Sequence, residues 1–431
     1  MRRSTSLFAR FALLCTGFVA STTAFAGDSK LETALGDLYG ICLFEPVASN
    51  PFAGAALLSR SDLAPGVTGF IESNLASIPM TPPSVKSVFE DGRIVNVVTG
   101  FSPIFTENTA TVGGGKLFFG GNYSYYDFSK LRGQSLADMS FVFAQDDGGD
   151  VVAVNMPLEV KAKIFTFYST FGVTNQFDVG LAFPIVDMTV RADGTTFNVL
   201  GNDSGCRYGP LDCNPANPQG SRITPELTLD AVSGAVEEAD LNPTFLSTVA
   251  VRLKYRFPYI PNSGRVALVA DLRMPVRSED SLLGAGEFGG FLTLVGEAQT
   301  RNGFTPYFNL GTHLWSGDSA SSLSATAGFT QLFARNLSFS FDLIGDFDLE
   351  SDPFLETIDN QVPVGASTSS ELAVAASSIP SANRDHRLDA ALGFQYALTQ
   401  DFQVYGSGLF SLLDQGLTAS IIPMVGFAVH Y

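Results

Sequence analysis

From residue 116 to the C-terminus, apolar and polar positions alternate within segments of roughly 10 to 20 residues. Leu158, Val160, Ala162 and Ile164 fall on one face of such a segment, and Glu159, Lys161 and Lys163 on the other. Val251, Leu253, Tyr255 and Phe257 oppose Arg252, Lys254 and Arg256, and Leu268, Leu272 and Met274 oppose Asp271 and Arg273. The run from Leu337 to Leu343 repeats the pattern. Successive side chains of a strand point to opposite faces, so a period of two predicts strands with one apolar and one polar side.

Twelve segments qualify: 116–128, 151–172, 177–192, 244–257, 264–277, 289–299, 304–316, 322–333, 337–348, 386–397, 402–412 and 418–431. Short connections at 173–176, 258–264, 300–303, 334–336 and 398–401 alternate with long polar ones at 193–242, 277–289, 349–385 and 413–417. An even strand count with alternating short and long connections predicts an all-β chain folded as a transmembrane antiparallel up-and-down β-barrel. Asp91-Gly92, with 84–90 facing 93–99, marks a further hairpin that would raise the count to fourteen. Residues 27–83 do not alternate. Leu31, Ala34, Leu35, Leu38 and Cys42 recur at helical spacing, and Pro46, Pro51 and Gly54 interrupt the run. This reads as a short helical or irregular segment, a candidate plug for the lumen, ahead of a barrel spanning 84–431.

The first 26 residues read as an address. Arg2, Arg3 and Arg10 precede a short apolar core, and Ala24-Phe25-Ala26 satisfies the small-residue rule for signal-peptide cleavage. Leu14 before Cys15 argues against a lipoprotein site. No later stretch has the roughly 20 apolar residues of a membrane-spanning helix. Yet the chain is 45% hydrophobic with 37 Phe, and only 16% charged. A barrel that turns half of each strand toward lipid accounts for that composition. The expected location is therefore the outer membrane of a Gram-negative bacterium, with outer-membrane lipid as a partner. The net charge of −18 argues against nucleic acid. Cys206 and Cys213 sit in a turn-rich loop and are candidates for a local disulfide in an oxidising compartment, leaving Cys42 unpaired.

An Arg or Lys facing lipid at the bilayer midplane costs about 2 to 4 kcal/mol. Glu159, Lys161, Lys163, Asp178, Arg252, Lys254, Arg256, Arg265, Asp271 and Arg273 are therefore expected to line the lumen, as ion pairs that fill it or as a polar path. Tyr123, Tyr125, Tyr168, Phe257, Tyr259, Trp315 and Tyr396 are read as interface girdles. Tyr431, Val429, Phe427 and Val425 end the chain with apolar residues at every second position, resembling the terminal-strand motif recognised by the barrel-insertion machinery. Catalysis has little support: His313, with Ser316 and Asn309 nearby, falls on a lumen face rather than near lipid. The acidic run Asp346, Asp348, Glu350 and Asp352 lacks the glycine of a calcium loop, so neither metal nor cofactor is expected.

Several segments resemble one family of outer-membrane proteins. They are Pro103–Glu107, Gly113–Lys116, Asn122–Tyr125, Phe171–Gly180, Asp271–Pro275 with Leu282–Gly284, and Thr305–Gly311. The family is called transporters of the putative meta-pathway of phenol degradation. The family typically has Pro-Thr-Gly after the basic strand; here Val276 and Arg277 follow Pro275. The resemblance covers about residues 100–315 and implies a barrel related to fatty-acid and aromatic-hydrocarbon channels. It points to passive uptake of small hydrophobic or aromatic cargo. A general or anion-preferring porin, motivated by the basic strands, and a non-transporting surface barrel, motivated by the long loops, are the alternatives.

Overall fold

The computed structural model describes residues 88–90, 93–95, 106–144, 150–155, 157–191, 196–201, 227–228, 244–246, 248–258, 264–275, 288–298, 303–316, 321–334, 336–349, 384–399 and 401–431. Twelve strands form a closed barrel. They are β1 (Leu117–Leu131), β2 (Glu159–Gly172), β3 (Phe177–Arg191), β4 (Thr248–Arg256), β5 (Arg265–Pro275) and β6 (Gly289–Glu297). These are followed by β7 (Phe304–Trp315), β8 (Ser322–Ala334), β9 (Leu337–Asp348), β10 (Arg387–Ala397), β11 (Phe402–Ser411) and β12 (Ile422–His430). Each pairs antiparallel with its sequence neighbour. β12 returns to β1 in register from Met424 opposite Ser124 to His430 opposite Phe118. At this seam Leu117 and Tyr431 exchange backbone hydrogen bonds of 3.0 and 2.8 Å. Closure removes the open edges that an unpaired sheet would present to hydrocarbon.

The even count puts the start of β1 and the end of β12 at one end of the barrel, together with the short connections; we call it the turn end, and the opposite one the loop end. The alternation in the sequence is the alternation of the wall. Leu268, Leu272, Leu292, Leu294, Phe308, Leu310, Leu343, Leu392 and Phe394 point outward. Leu294 and Leu310 are cross-strand partners exposed at 48% and 42%. A wall of bare Leu and Phe around a closed barrel is a surface made for the bilayer. Leu294→Arg is therefore expected to cost about 2 to 4 kcal/mol of stability in lipid vesicles. Guanidinium unfolding of the variant in those vesicles checks this, and a cost below about 1 kcal/mol would place the wall away from hydrocarbon.

Two expectations change. The hairpin at Asp91-Gly92 forms, Val88–Glu90 against Arg93–Val95, but its two strands pair only with each other among the described residues. The barrel count is therefore twelve, not fourteen. The segment expected as one strand over 151–172 is two. Asp150–Asn155 joins a separate four-stranded sheet with Ser140–Ala144, Thr196–Gly201 and Leu227–Thr228, and β2 begins only at Glu159. Pro157 lies between them and has no N–H to give to a ladder. The long connection after β3 thus carries strands of its own. The signal segment 1–26, the candidate plug 27–83 and all four cysteines lie outside the described residues.

Candidate functional site

The lumen is occupied by the chain itself. Thr106–Val112, just upstream of β1, are all buried, at 0 to 8% exposure. They form no strand and pair with no wall strand. This strap reaches β1 through Gly113-Gly114-Gly115, where Gly113 and Gly115 adopt φ of 95° and 78°. Those left-handed conformations suit glycine, which has no Cβ to clash. Gly115 N donates to Gly172 O at 2.7 Å and Gly172 N to Lys116 O at 2.9 Å, which fastens the turn to the end of β2.

From there the strap crosses the lumen on side-chain contacts. Val112 N donates to the Asp178 carboxylate at 2.8 Å, and Thr111 Oγ1 to Asn175 O at 2.9 Å. Thr109 Oγ1 donates to Glu297 Oε2 at 2.7 Å. The Glu107 carboxylate receives Arg252 Nη1 at 2.6 Å and lies 3.0 Å from Lys254 Nζ, while Asn309 Nδ2 donates to its backbone carbonyl at 3.1 Å. Thr106 Oγ1 reaches Asp342 at 3.2 Å, which also accepts from Tyr307 at 2.5 Å. The strap therefore spans from β3 to β9. Charge-assisted hydrogen bonds in a dry interior are stronger than neutral ones, so these few contacts hold it firmly.

Of the residues expected to line the lumen, Asp178, Arg252, Lys254, Arg256, Arg265, Asp271 and Arg273 alternate onto the inner face. Arg252 grips Asp271 through two hydrogen bonds of 2.6 and 2.5 Å. Arg256 donates to Asn175 O at 2.7 Å. Arg273 lies over the Phe291 ring, 4.0 Å from its centre. Glu159, Lys161 and Lys163 do not line the lumen. They share the outer face with Phe165 and Phe167, while Thr166 and Tyr168 point inward. Lys161 pairs with Glu159, and Lys163 lies 3.3 Å from Asp187. The rule that charges turn inward holds only at hydrocarbon depth. These three open β2 at the loop end, beyond the phenylalanines, where polar surroundings accept them.

Their inward neighbours are apolar: Val160, Ala162 and Ile164, joined by Val186, Met188 and Val190 of β3. The lumen is thus divided. Its wall at β2–β3 is apolar toward the loop end, β4–β5 carry the basic groups, and β9–β10 carry Asp342, Asp346 and Asp389.

Two aromatics assigned to girdles lie inside. Tyr168 OH meets Tyr405 OH at 2.5 Å, and a Cβ on Gly120 would strike the Tyr168 ring at 2.6 Å. Trp315 packs edge-on against the inward-facing Phe291, their centres 5.6 Å apart. Tyr123, Tyr125, Phe257 and Tyr396 face outward, and Tyr259 lies outside the described residues. Val425, Phe427, Val429 and Tyr431 line the outer face of β12 and its end.

His313 has Asp346 Oδ2 at 3.4 Å and Ser322 Oγ at 3.2 Å. Both contacts fall on Nδ1, whereas a nucleophile triad needs the serine and the carboxylate on opposite ring nitrogens. At the loop end, Arg132 forms a two-pronged ion pair with Asp385, 2.8 Å at each contact, with side chains 3% and 9% exposed. Arg132 has φ of 50° and Gly133 of 81°, as a two-residue hairpin turn requires.

Sequence reasoning passed over Glu297 and Asp342, which hold the strap; it placed Asn309 on a lumen face only as a neighbour of His313, and met Glu107 only at the end of a segment that resembles the family. The strap's one local sign is the triple glycine before β1, which marks a chain reversal without saying that the chain turns into the barrel.

No protein-family model matches the sequence, and no curated protein sequence matches it. The solved structures to which the chain is similar are outer-membrane barrels. An outer membrane channel from Pseudomonas putida F1 is 9% identical, with 76% of this chain and 100% of that one covered and a TM-score of 0.45. The NanC porin is 8% identical, covering 73% of this chain and 98% of its own, with a TM-score of 0.34. A deltaS2 mutant of the TodX monoaromatic hydrocarbon channel is 9% identical, covering 75% and 91%, with a TM-score of 0.32. At these identities the likeness assigns no cargo.

Proposed function

We propose that this chain is an outer-membrane channel for passive uptake of small hydrophobic or aromatic compounds, closed at rest by residues 106–112. The observation that carries the reading is the strap. It lies buried across the lumen yet pairs with no wall strand, so it can leave without dismantling the barrel. A lumen filled by strands or packed core would have no such exit. The apolar inner wall of Val160, Ala162, Ile164, Val186, Met188 and Val190 supports apolar cargo. On this reading residues 1–26 direct export, the short turns face the periplasm, and Val425, Phe427, Val429 and Tyr431 engage the insertion machinery. The chain acts by passage rather than catalysis.

An anion-preferring porin is the second reading, favoured by the surplus of Arg and Lys on β4–β5. Recording the full chain in planar bilayers separates the two. The plugged channel stays near silence at low voltage while vesicles bearing the protein take up toluene faster than bare vesicles. A large standing conductance with anion preference would overturn the first reading in favour of the second.

A further inference from the structure

Glu107 belongs to the strap, but the groups that hold its side chain belong to the wall. Arg252 is fixed by Asp271, which accepts two of its N–H groups and leaves Nη1 for Glu107 Oε1. Lys254, two residues along the same inner face, meets the other oxygen, Oε2, at 3.0 Å. Each carboxylate oxygen thus has its own cation. That arrangement selects a planar anion with two oxygens rather than a spherical ion. Lys254 is buried and Arg252 largely so, with side chains 6% and 12% exposed. Once Glu107 withdraws, Asp271 compensates Arg252, and Lys254 is left with Asp178, its cross-strand neighbour on β3, whose carboxylate also faces Arg256. Two cations of the inner wall then share one carboxylate, and buried cations short of counter-charge are costly, so the vacated place favours another anion.

What lies beside the pair sets the rest of the ligand. Val269 stands opposite Lys254, and Ala267 opposite Arg256, across the β4–β5 ladder. Ala267, Val269 and Val295 form a buried apolar patch on that same inner wall. A charged end and an apolar surface are therefore one strand-spacing apart, about 4.8 Å.

We propose that Arg252 and Lys254 form a binding site for small organic monocarboxylates with an apolar body, and that Glu107 occupies it in the closed state as a built-in competitor. The proposal rests on the channel reading and gives it a substrate class and a trigger. A passing acid takes the place of the Glu107 carboxylate, its apolar part lies on Val269 and Val295, and the strap is released. The ligand shifts the population because it and the latched strap cannot hold the site together.

Benzoate is the probe, and benzamide, of the same shape without the charge, is the control. Calorimetric titration of the full chain in detergent should show benzoate binding at least about tenfold tighter to Glu107→Gln than to the wild type, because the internal competitor is gone. Adding Lys254→Gln to that variant should weaken binding by at least about tenfold, and benzamide should bind neither form measurably. In bilayers, benzoate should raise the open probability of the wild type at least about tenfold, and benzamide should not. Equal benzoate affinity in wild type and Glu107→Gln, or equal action of benzoate and benzamide, would overturn the carboxylate site while leaving the channel standing. If a chain stripped of the strap still does not conduct, the channel reading falls and takes the trigger with it.

Discussion

A chain lacking residues 27–112 is expected to conduct at least about tenfold more in planar bilayers than one lacking only 27–83. The second deletion leaves the strap in place. The first removes Glu107 from Arg252 and Lys254, Thr109 from Glu297, and Val112 from Asp178. Hydrogen bonds to charged groups contribute about 1.5 to 3 kcal/mol each, so three such anchors bias the closed state by more than the 1.4 kcal/mol that corresponds to a factor of ten. The deletion could also impair assembly, and a point variant gives an independent route. A Cβ on Gly172 would run into the backbone of Gly113, with the Gly113 carbonyl carbon 2.6 Å away, so Gly172→Val should push the tri-glycine turn off the rim and open the barrel. If both variants assemble, shown by heat-modifiable migration on gels, and both stay as silent as the intact chain, the strap is not the barrier.

The second large effect concerns the loop end. Asp385→Ala should cost about 3 to 5 kcal/mol of stability, because it leaves the Arg132 guanidinium buried without its counter-charge. The pair joins the first turn after β1 to the entry of β10, and Asp385 N donates to Asp348 Oδ2 at 3.0 Å, which draws in the end of β9. Arg132→Met with Asp385→Leu should recover most of that loss, since two apolar groups of similar size remove both desolvation costs together. Guanidinium unfolding of vesicle-embedded protein, followed by tryptophan emission, measures both; the chain has a single tryptophan, Trp315. A cost below about 1 kcal/mol for Asp385→Ala would mean that water reaches the pair.

Most of the wall was readable in advance because a strand between lipid and an enclosed interior must alternate, and residues such as Leu294, Leu310 and Val425 announce their side by being apolar. The same rule misplaced Glu159, Lys161 and Lys163. Alternation yields two faces but not the depth of the bilayer, and β2 runs past the apolar band before its charges begin. The girdle reading, made on nearness to a strand end, put Tyr168 and Trp315 outside, although alternation sets Trp315 on the face of His313. An aromatic ring near a strand end is equally at home at an interface or against a glycine within the lumen, and only the positions of Gly120 and Phe291 decide between these.

By itself the sequence determined the class of the protein, its twelve strands, the closing strand with its outward aromatic end, and the inward charges of β4 and β5. All of these follow from periodicity, which is local. Only the tertiary structure decided what occupies the interior. Thr106–Val112 have no period to read, and their places are set by Asp178, Arg252, Lys254, Glu297 and Asp342, brought from four other strands. A short polar stretch gains its meaning from the buried charges that meet it, and those contacts exist only once the barrel has closed.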